Sequence, residues 1–194
     1  MSEAEQPALE VLKAGGVIAF PTDTLYGIGC AIDRPRAIER VLAMRGIDRS
    51  RRPLTFLLPD IGELARYTQV TEIGHRALSR IFPGPYCVEL VAAEGVPDPY
   101  VVGKRRTIGV RVPDHRFCER LLWAMGVPIL TATAKSRDGR VLTTAAEIAA
   151  QLGPELDLIV DGGLLDGAPS TVVSLVDDWV TVLRHGRGDP DRLL

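Results

Sequence analysis

FPTDTLYGIG, residues 20–29, follows the apolar run 17–20 and packs three hydroxyl side chains, one carboxylate and two glycines into ten positions. A buried strand that delivers this much hydrogen-bonding capacity to its end is a common way for an α/β protein to grip a small polar ligand. On an extended backbone Thr22, Thr24 and Tyr26 share a face while Asp23 points the other way, so one ligand can touch several of them. The alternative reading is a loop whose Thr and Asp side chains satisfy their own backbone.

Outward from this segment, helical and extended patterns alternate. Residues 9–13, with Ala8 and Leu12 on one face, predict a short helix stopped by Gly15 and Gly16. Pro35 opens a second helix carrying Ile38, Val41 and Leu42, ended by Gly46. A third is expected over residues 72–82, with Ile73, Ala77, Leu78 and Ile81 in a stripe and Pro83 as its stop. Asp60 with Glu63, and Thr144 with Glu147, have capping-box spacing, and Asp114 is placed to cap a helix bearing Phe117, Leu121, Leu122 and Met125. Strands are expected at 54–58, 87–92, 107–112, 128–131 and 158–160, and runs 171–176 and 179–184 flank Asp177 and Asp178 as a hairpin would. The pattern predicts an α/β fold, one domain over residues 1–194, with a twisted mixed sheet and helices on its faces.

Composition narrows the function classes. The 194 residues are 46% hydrophobic and 25% charged, which describes a soluble globule with an ample core. A net charge of −2 supplies no bulk attraction to nucleic acid or anionic membrane, so polyanion binding must come from local patches. Cys30, Cys87 and Cys118 are odd in number and widely spaced, which argues against a disulfide framework or a structural zinc site and for a reducing compartment. No apolar stretch approaches the roughly 18 residues of a membrane span, and the chain is read as cytoplasmic.

Two further constellations carry chemistry. Arg111 ends a strand before Pro113 and His115, where its planar fork is placed to hold a carboxylate or phosphate. Lys104, Arg105 and Arg106 form one basic cluster and Arg45, Arg49, Arg51 and Arg52 another; sharing a cleft, they would concentrate phosphate-bearing ligands. Later, the DGG of residues 161–163 with Ser170, Thr171, Arg184 and Gly186 offers backbone freedom and donors suited to an anion, although turn chemistry alone also explains DGG. Phosphate-loop, dinucleotide, metalloprotease and nucleophile-elbow motifs are missing, and the scattered His75, His115 and His185 give no general base.

Taken in order, PTDTLYG, PGP (83–85), RTIGVRVPDH (106–115), PILTATAK (128–135), DGG, PSTVV (169–173) and RHG (184–186) resemble the YrdC/YciO-like family across nearly the whole chain. The resemblance implies a twisted mixed sheet around a concave, positively charged cavity. The best-known members are threonylcarbamoyl-adenylate synthases, which combine threonine, bicarbonate and ATP into threonylcarbamoyl-AMP and pyrophosphate for the modification of transfer RNA. Members have also been described as binders of double-stranded RNA. The family's Lys-x-Arg and Ser-x-Asn tetrad is replaced here by Arg45 with Ile47 and by Thr133 with Lys135, a pattern more like the YciO-type branch.

By resemblance, threonine lies against Thr22, Thr24 and Tyr26, with Arg111 and His115 lining the cavity or bracing it. Nucleotide phosphates lie against Arg45, Thr133, Ser170, Thr171 and Arg184, and Arg45, Thr133 and Lys135 form the catalytic set. Mg2+ is expected to arrive with ATP, without a protein cage of its own. Two alternatives stand beside synthesis: hydrolysis of a related adenylate, and binding of transfer RNA or double-stranded RNA without catalysis.

Overall fold

A computed structural model of the chain describes residues 5–46, 54–176 and 179–193. In chain order the elements are α1 (Glu5–Lys13), β1 (Ile18–Phe20), β2 (Gly27–Ala31), α2 (Pro35–Arg45), β3 (Thr55–Leu57), α3 (Leu64–Tyr67), β4 (Thr68–Gln69), α4 (Glu72–Leu78) and β5 (Tyr86–Ala92). They continue as β6 (Thr107–Arg111), α5 (Arg116–Met125), β7 (Ile129–Thr133), α6 (Ala145–Leu152), β8 (Leu158–Ile159), β9 (Thr171–Val176) and β10 (Trp179–Arg184).

The helix punctuation follows the sequence. Gly16 N–H bonds back to Val11 O at 2.8 Å to end the first helical segment, and Gly46 caps α2 in the left-handed region at φ 55°. Thr144 accepts from Glu147 N–H at 3.2 Å, and the Glu147 carboxylate reaches back to Thr143 N–H at 2.8 Å. That pairing, with Arg140 beside it, holds the Glu147 carboxyl down at about 2.

Four local expectations are corrected. The helix expected over residues 72–82 stops at Leu78, beyond which the backbone bonds tighten to the three-residue kind, Arg80 N–H to Ala77 O and Ile81 N–H to Leu78 O, both at 3.1 Å, and Ile73 of the expected apolar stripe is 63% exposed. Asp60 accepts from Gly62 N–H, but Glu63 turns to Arg66 at 2.6 Å, so only half of the first capping box forms. His115, not Asp114, occupies the N-cap position of α5, without a side-chain cap bond. Finally, β2 was not marked as a strand: its glycines weaken strand propensity but are demanded by packing, since a Cβ would fall 2.8 Å from Thr131 Oγ1 at Gly27 and 2.9 Å from Ile129 Cγ2 at Gly29.

The sheet runs β10-β9-β5-β6-β3-β7-β2-β1-β8, with β4 beside β5. The β1–β8, β3–β6 and β5–β9 pairs are parallel and the others antiparallel, the mixed sheet that was expected. The expected hairpin is also present, pairing Val180 with Leu175 and Thr181 with Ser174.

Side-chain alternation gives the sheet two unlike faces. Ile28, Phe56, Val88, Val110, Leu130 and Val173 point one way into a core shared with Ile38 and Val41 of α2 and Ile148 and Leu152 of α6. On the other face Ile18, Phe20, Leu57 and Ile129 pack with Leu12 of α1 and Leu121 and Leu122 of α5. Burying a side chain of this size contributes about 1.5–3 kcal/mol. The rest of that second face carries glycine, threonine, serine, cysteine and valine with Arg111 and Glu89, and this difference sets the position of the site.

Candidate functional site

Where the second face turns small and polar, it sinks into a cavity of about 170 Å³; two other hollows are smaller, about 70 and about 10 Å³. Thr131 and Thr133 of β7, Gly27 of β2 and Thr55 of β3 line one side, while Cys87 of β5, Val172 of β9 and Arg111 of β6 line the other. Register brings these residues together, with Gly27 opposite Thr133, Thr55 opposite Thr131 and Cys87 opposite Val172. Thr22, Leu25 and Tyr26 from the β1–β2 connection, with Ser170 and Arg184, complete the wall.

The early hydroxyls divide their tasks. Thr22 lines the cavity and donates to Leu25 O at 2.7 Å, fixing the turn; its oxygen lies 3.2 Å from Thr24 Oγ1. Thr24 stands behind that wall, 1% exposed. The Tyr26 ring lines the cavity, but its hydroxyl donates to Gly163 O and accepts from Gly162 N–H, both at 2.8 Å. Burial pushes the Tyr26 phenol up, with Asp161 adding to the rise and the Gly162 N–H opposing it, so the group stays a donor. A Cβ at Gly162 would sit 2.4 Å from Pro21 Cβ, which explains the glycine and shows DGG to be a loop clasped by the PTDTLYG segment.

Asp23 does point away from its neighbours, and its target is Arg111: Oδ1 accepts from Nη2 at 2.6 Å, with the side chains only 8% and 11% exposed. Arg111 is thereby held at the cavity wall. Arg184 donates to Ser170 O at 2.8 Å, with Ser170 Oγ a longer contact at 3.4 Å. Two guanidinium groups, each tethered through one nitrogen, thus share a wall with the Thr133 and Ser170 hydroxyls. Such an arrangement suits an anion with several oxygens.

The remaining candidates lie outside the lining, for different reasons. Thr171 is fully buried, donating to Gly188 O at 2.5 Å and accepting from Gly186 N–H at 3.0 Å, and so builds the β9 end without facing the hollow. His115 is packed beside Phe117 with Nδ1 buried and unpartnered, so of the pair expected at the cavity only Arg111 is among the lining residues. Arg45 ends α2 and donates to the Lys135 carbonyl at 3.0 Å; the two are brought together just past the β7 end that carries Thr133. Burial lowers the Arg45 guanidinium from its ordinary value.

Ile47, Arg49, Arg51 and Arg52 fall outside the described residues. The cluster of Lys104, Arg105 and Arg106 does not line the cavity: it precedes β6, whereas Arg111 closes that strand. Five residue steps, from Arg106 to Arg111, separate the two by about 16 Å. Arg106 is engaged with Asp98 and with Val96 O. Thr55, Cys87, Thr131 and Val172 were missed; alternation from Thr133 reaches Thr131, while Thr55, Cys87 and Val172 are each the single lining residue of their strand and emerge only from cross-strand register.

Burial lowers the His115 pKa, against upward pulls from Asp23 and Asp114. Its neutral form is therefore favoured by folding, and the stability this confers is complete above an unfolded value of about 6.5 and declines as pH falls below it. Denaturation midpoints from pH 7.5 to 5 are expected to fall less steeply for His115→Gln than for the parent; equal slopes would count against this account.

Comparison with known proteins follows the same outline. The model of the Sua5/YciO/YrdC family, described as telomere recombination, matches residues 10–186. The uncharacterized protein YciO of Escherichia coli K12 is 36% identical over 184 residues, 94% of this chain and 88% of that protein. A crystal structure of E. coli YciO superposes with a TM-score of 0.91 at 34% identity, covering 98% of this chain and 92% of the other. A threonylcarbamoyl-AMP synthase of Vibrio vulnificus YJ016 is 31% identical over 160 residues, 81% of this chain and 85% of the synthase. P. abyssi Sua5 complexed with L-threonine matches with a TM-score of 0.81 at 27% identity, over 94% of this chain and 54% of Sua5.

Proposed function

Given that this chain belongs to the Sua5/YciO/YrdC family, we propose that its cavity binds threonine and ATP and carries out adenylate chemistry of the threonylcarbamoyl-AMP synthase type. The observation that carries this reading is the convergence of Arg111, Arg184, Thr133 and Ser170 on one hollow at the strand ends. Relatives named as threonylcarbamoyl-AMP synthases and the L-threonine complex of Sua5 support it.

The overall conversion is threonine, bicarbonate and ATP to threonylcarbamoyl-AMP, pyrophosphate and water. The threonine amine takes up bicarbonate with loss of water to give N-carboxythreonine; an oxygen of the carboxylate on nitrogen then attacks the α-phosphorus, and the bond from that phosphorus to the pyrophosphate oxygen breaks. Such a step needs aligned reactants and cations where charge builds on oxygen, more than a protein nucleophile. Arg184 and Arg111 would face that charge, while Thr133 and Ser170 donate to phosphate oxygens. Arg45 and Lys135, held together at the β7 end, would receive the outer phosphates. Mg2+ enters as part of the nucleotide substrate.

Purified protein supplied with L-threonine, bicarbonate and MgATP is expected to release pyrophosphate only when all three are present, with threonylcarbamoyl-AMP detected by mass spectrometry. Folded protein that yields no pyrophosphate overturns the synthase reading. A second reading is favoured by the replacements at Arg45 and Lys135: the same pocket hydrolyses an adenylate. Threonylcarbamoyl-AMP would then be consumed with release of AMP, and its persistence unchanged would reject that activity.

A further inference from the structure

The two edges of the sheet are built differently. At one end of the strand order β8 is two residues long and offers little to another chain; at the other, β10 runs six residues, and among the described residues its outer edge pairs with nothing. Exposed edges are ordinarily blunted by lysine, proline, an acidic side chain or brevity. β10 reads Trp-Val-Thr-Val-Leu-Arg, β-branched and aromatic residues closed by a single charge, and has none of these. Three of the six large apolar side chains that stand exposed among the described residues belong to it: Trp179 at 79%, Leu183 at 53% and Val182 at 37%. Its register slips between Val182 and Arg184, so residues 179–182 form the regular run and the bulge marks its end.

The occupant that this edge fits is a second copy of itself. Val180 and Val182 stand opposite Leu175 and Val173 and belong to the core face, while Trp179 and Thr181, opposite Val176 and Ser174, belong to the cavity face. An antiparallel pairing about a two-fold axis at Thr181 keeps both faces on their own sides. Val180 then meets Val182 of the other copy, Thr181 meets its own equivalent, and Trp179 reaches the Leu183 bulge. Charge agrees with this direction. In sequence the strand follows Asp177 and Asp178 and runs into Arg184 and His185, so antiparallel copies bring acidic and basic ends together, whereas parallel copies would bring like ends together.

We propose that β10 is a homodimer interface, joining two copies edge to edge into one continuous sheet about a two-fold axis at Thr181. Because β10 ends at Arg184, the seam finishes at the rim of the cavity, with Trp179 of one copy beside the strand end that carries Arg184 of the other. The pairing holds whichever reaction the cavity performs.

Sedimentation velocity on the full chain tests it, run from about 1 µM to about 200 µM because an interface of this small class associates in a concentration-dependent way. The parent is expected to pass from monomer to dimer across that range. Thr181→Lys and Thr181→Glu, at an exposed position, each set like charges across the axis. Each is expected to weaken dimerisation about 10-fold or more, with a melting temperature near the parent's. Mixed in equal amounts, the two variants are expected to recover association, since only a heterodimer sets Lys against Glu. A parent that stays monomeric throughout overturns the second copy as the occupant, whatever other partner the edge then takes. Open-ended assemblies of the parent, single variants that dimerise as the parent does, or a mixture that stays monomeric overturn the two-fold at Thr181.

Discussion

Arg111→Met is expected to destabilise the protein by about 3–5 kcal/mol, because it strands the Asp23 carboxylate without its partner in a buried position. The penalty comes from an uncompensated charge, so it has a pH signature. Protonating the Asp23 carboxyl removes that unpaired charge and with it most of the penalty. The gap between variant and parent should therefore be wide at pH 7 and narrow toward pH 4. Adding Asp23→Asn is expected to recover a large part of the loss, as removing both members of a buried pair commonly does. Urea titrations of the parent, both single variants and the double variant measure this, and additivity of the two single losses would show that the pair is not coupled.

Arg184→Ala carries the largest expected effect on chemistry. Arg184 faces the cavity from the end of β10, anchored to the Ser170 carbonyl, and is otherwise exposed. On the proposed reaction its loss removes one preorganised cation from the phosphates, for which about 10²–10³-fold in turnover is a typical cost. Stability should change little, since Arg184 is an exposed residue at a strand end and a water in the cavity that it lines with Ser170 can take its place on the carbonyl. Lys at the same position is expected to restore part of the rate, because it keeps the charge and loses the fork. A variant with parental turnover would remove Arg184 from the phosphate site.

The fold was legible where the physical signal was local. Pro35 and Gly46 bracket α2, Thr144 and Glu147 open α6, and the β9–β10 hairpin shows in its two apolar runs. The sequence misled where packing overrode propensity: β2 is built from glycines because neighbouring strands leave no space for a Cβ, which no single-strand pattern reveals. For the site, Arg111, Ser170 and Arg184 were visible as hydroxyl and guanidinium groups, and Thr133 through the family resemblance. Thr55, Cys87 and Val172 were not, since each is an ordinary strand residue until cross-strand register gives it a neighbour across the hollow. The hydroxyl of Tyr26 was readable as polar but not as a clasp, because its partners lie 136 and 137 residues away.

That separation bears on how the molecule comes into being. A nascent polypeptide released only as far as β7 already owns Thr22, Arg111 and Thr133, yet the wall opposite them is still unmade. Closing it requires the segment around Gly162 to return to Tyr26, and β9 to slot in parallel beside β5, both far in sequence and therefore slow to meet. Ligand-binding competence is thus a late arrival during synthesis, gained when the final third of the chain docks.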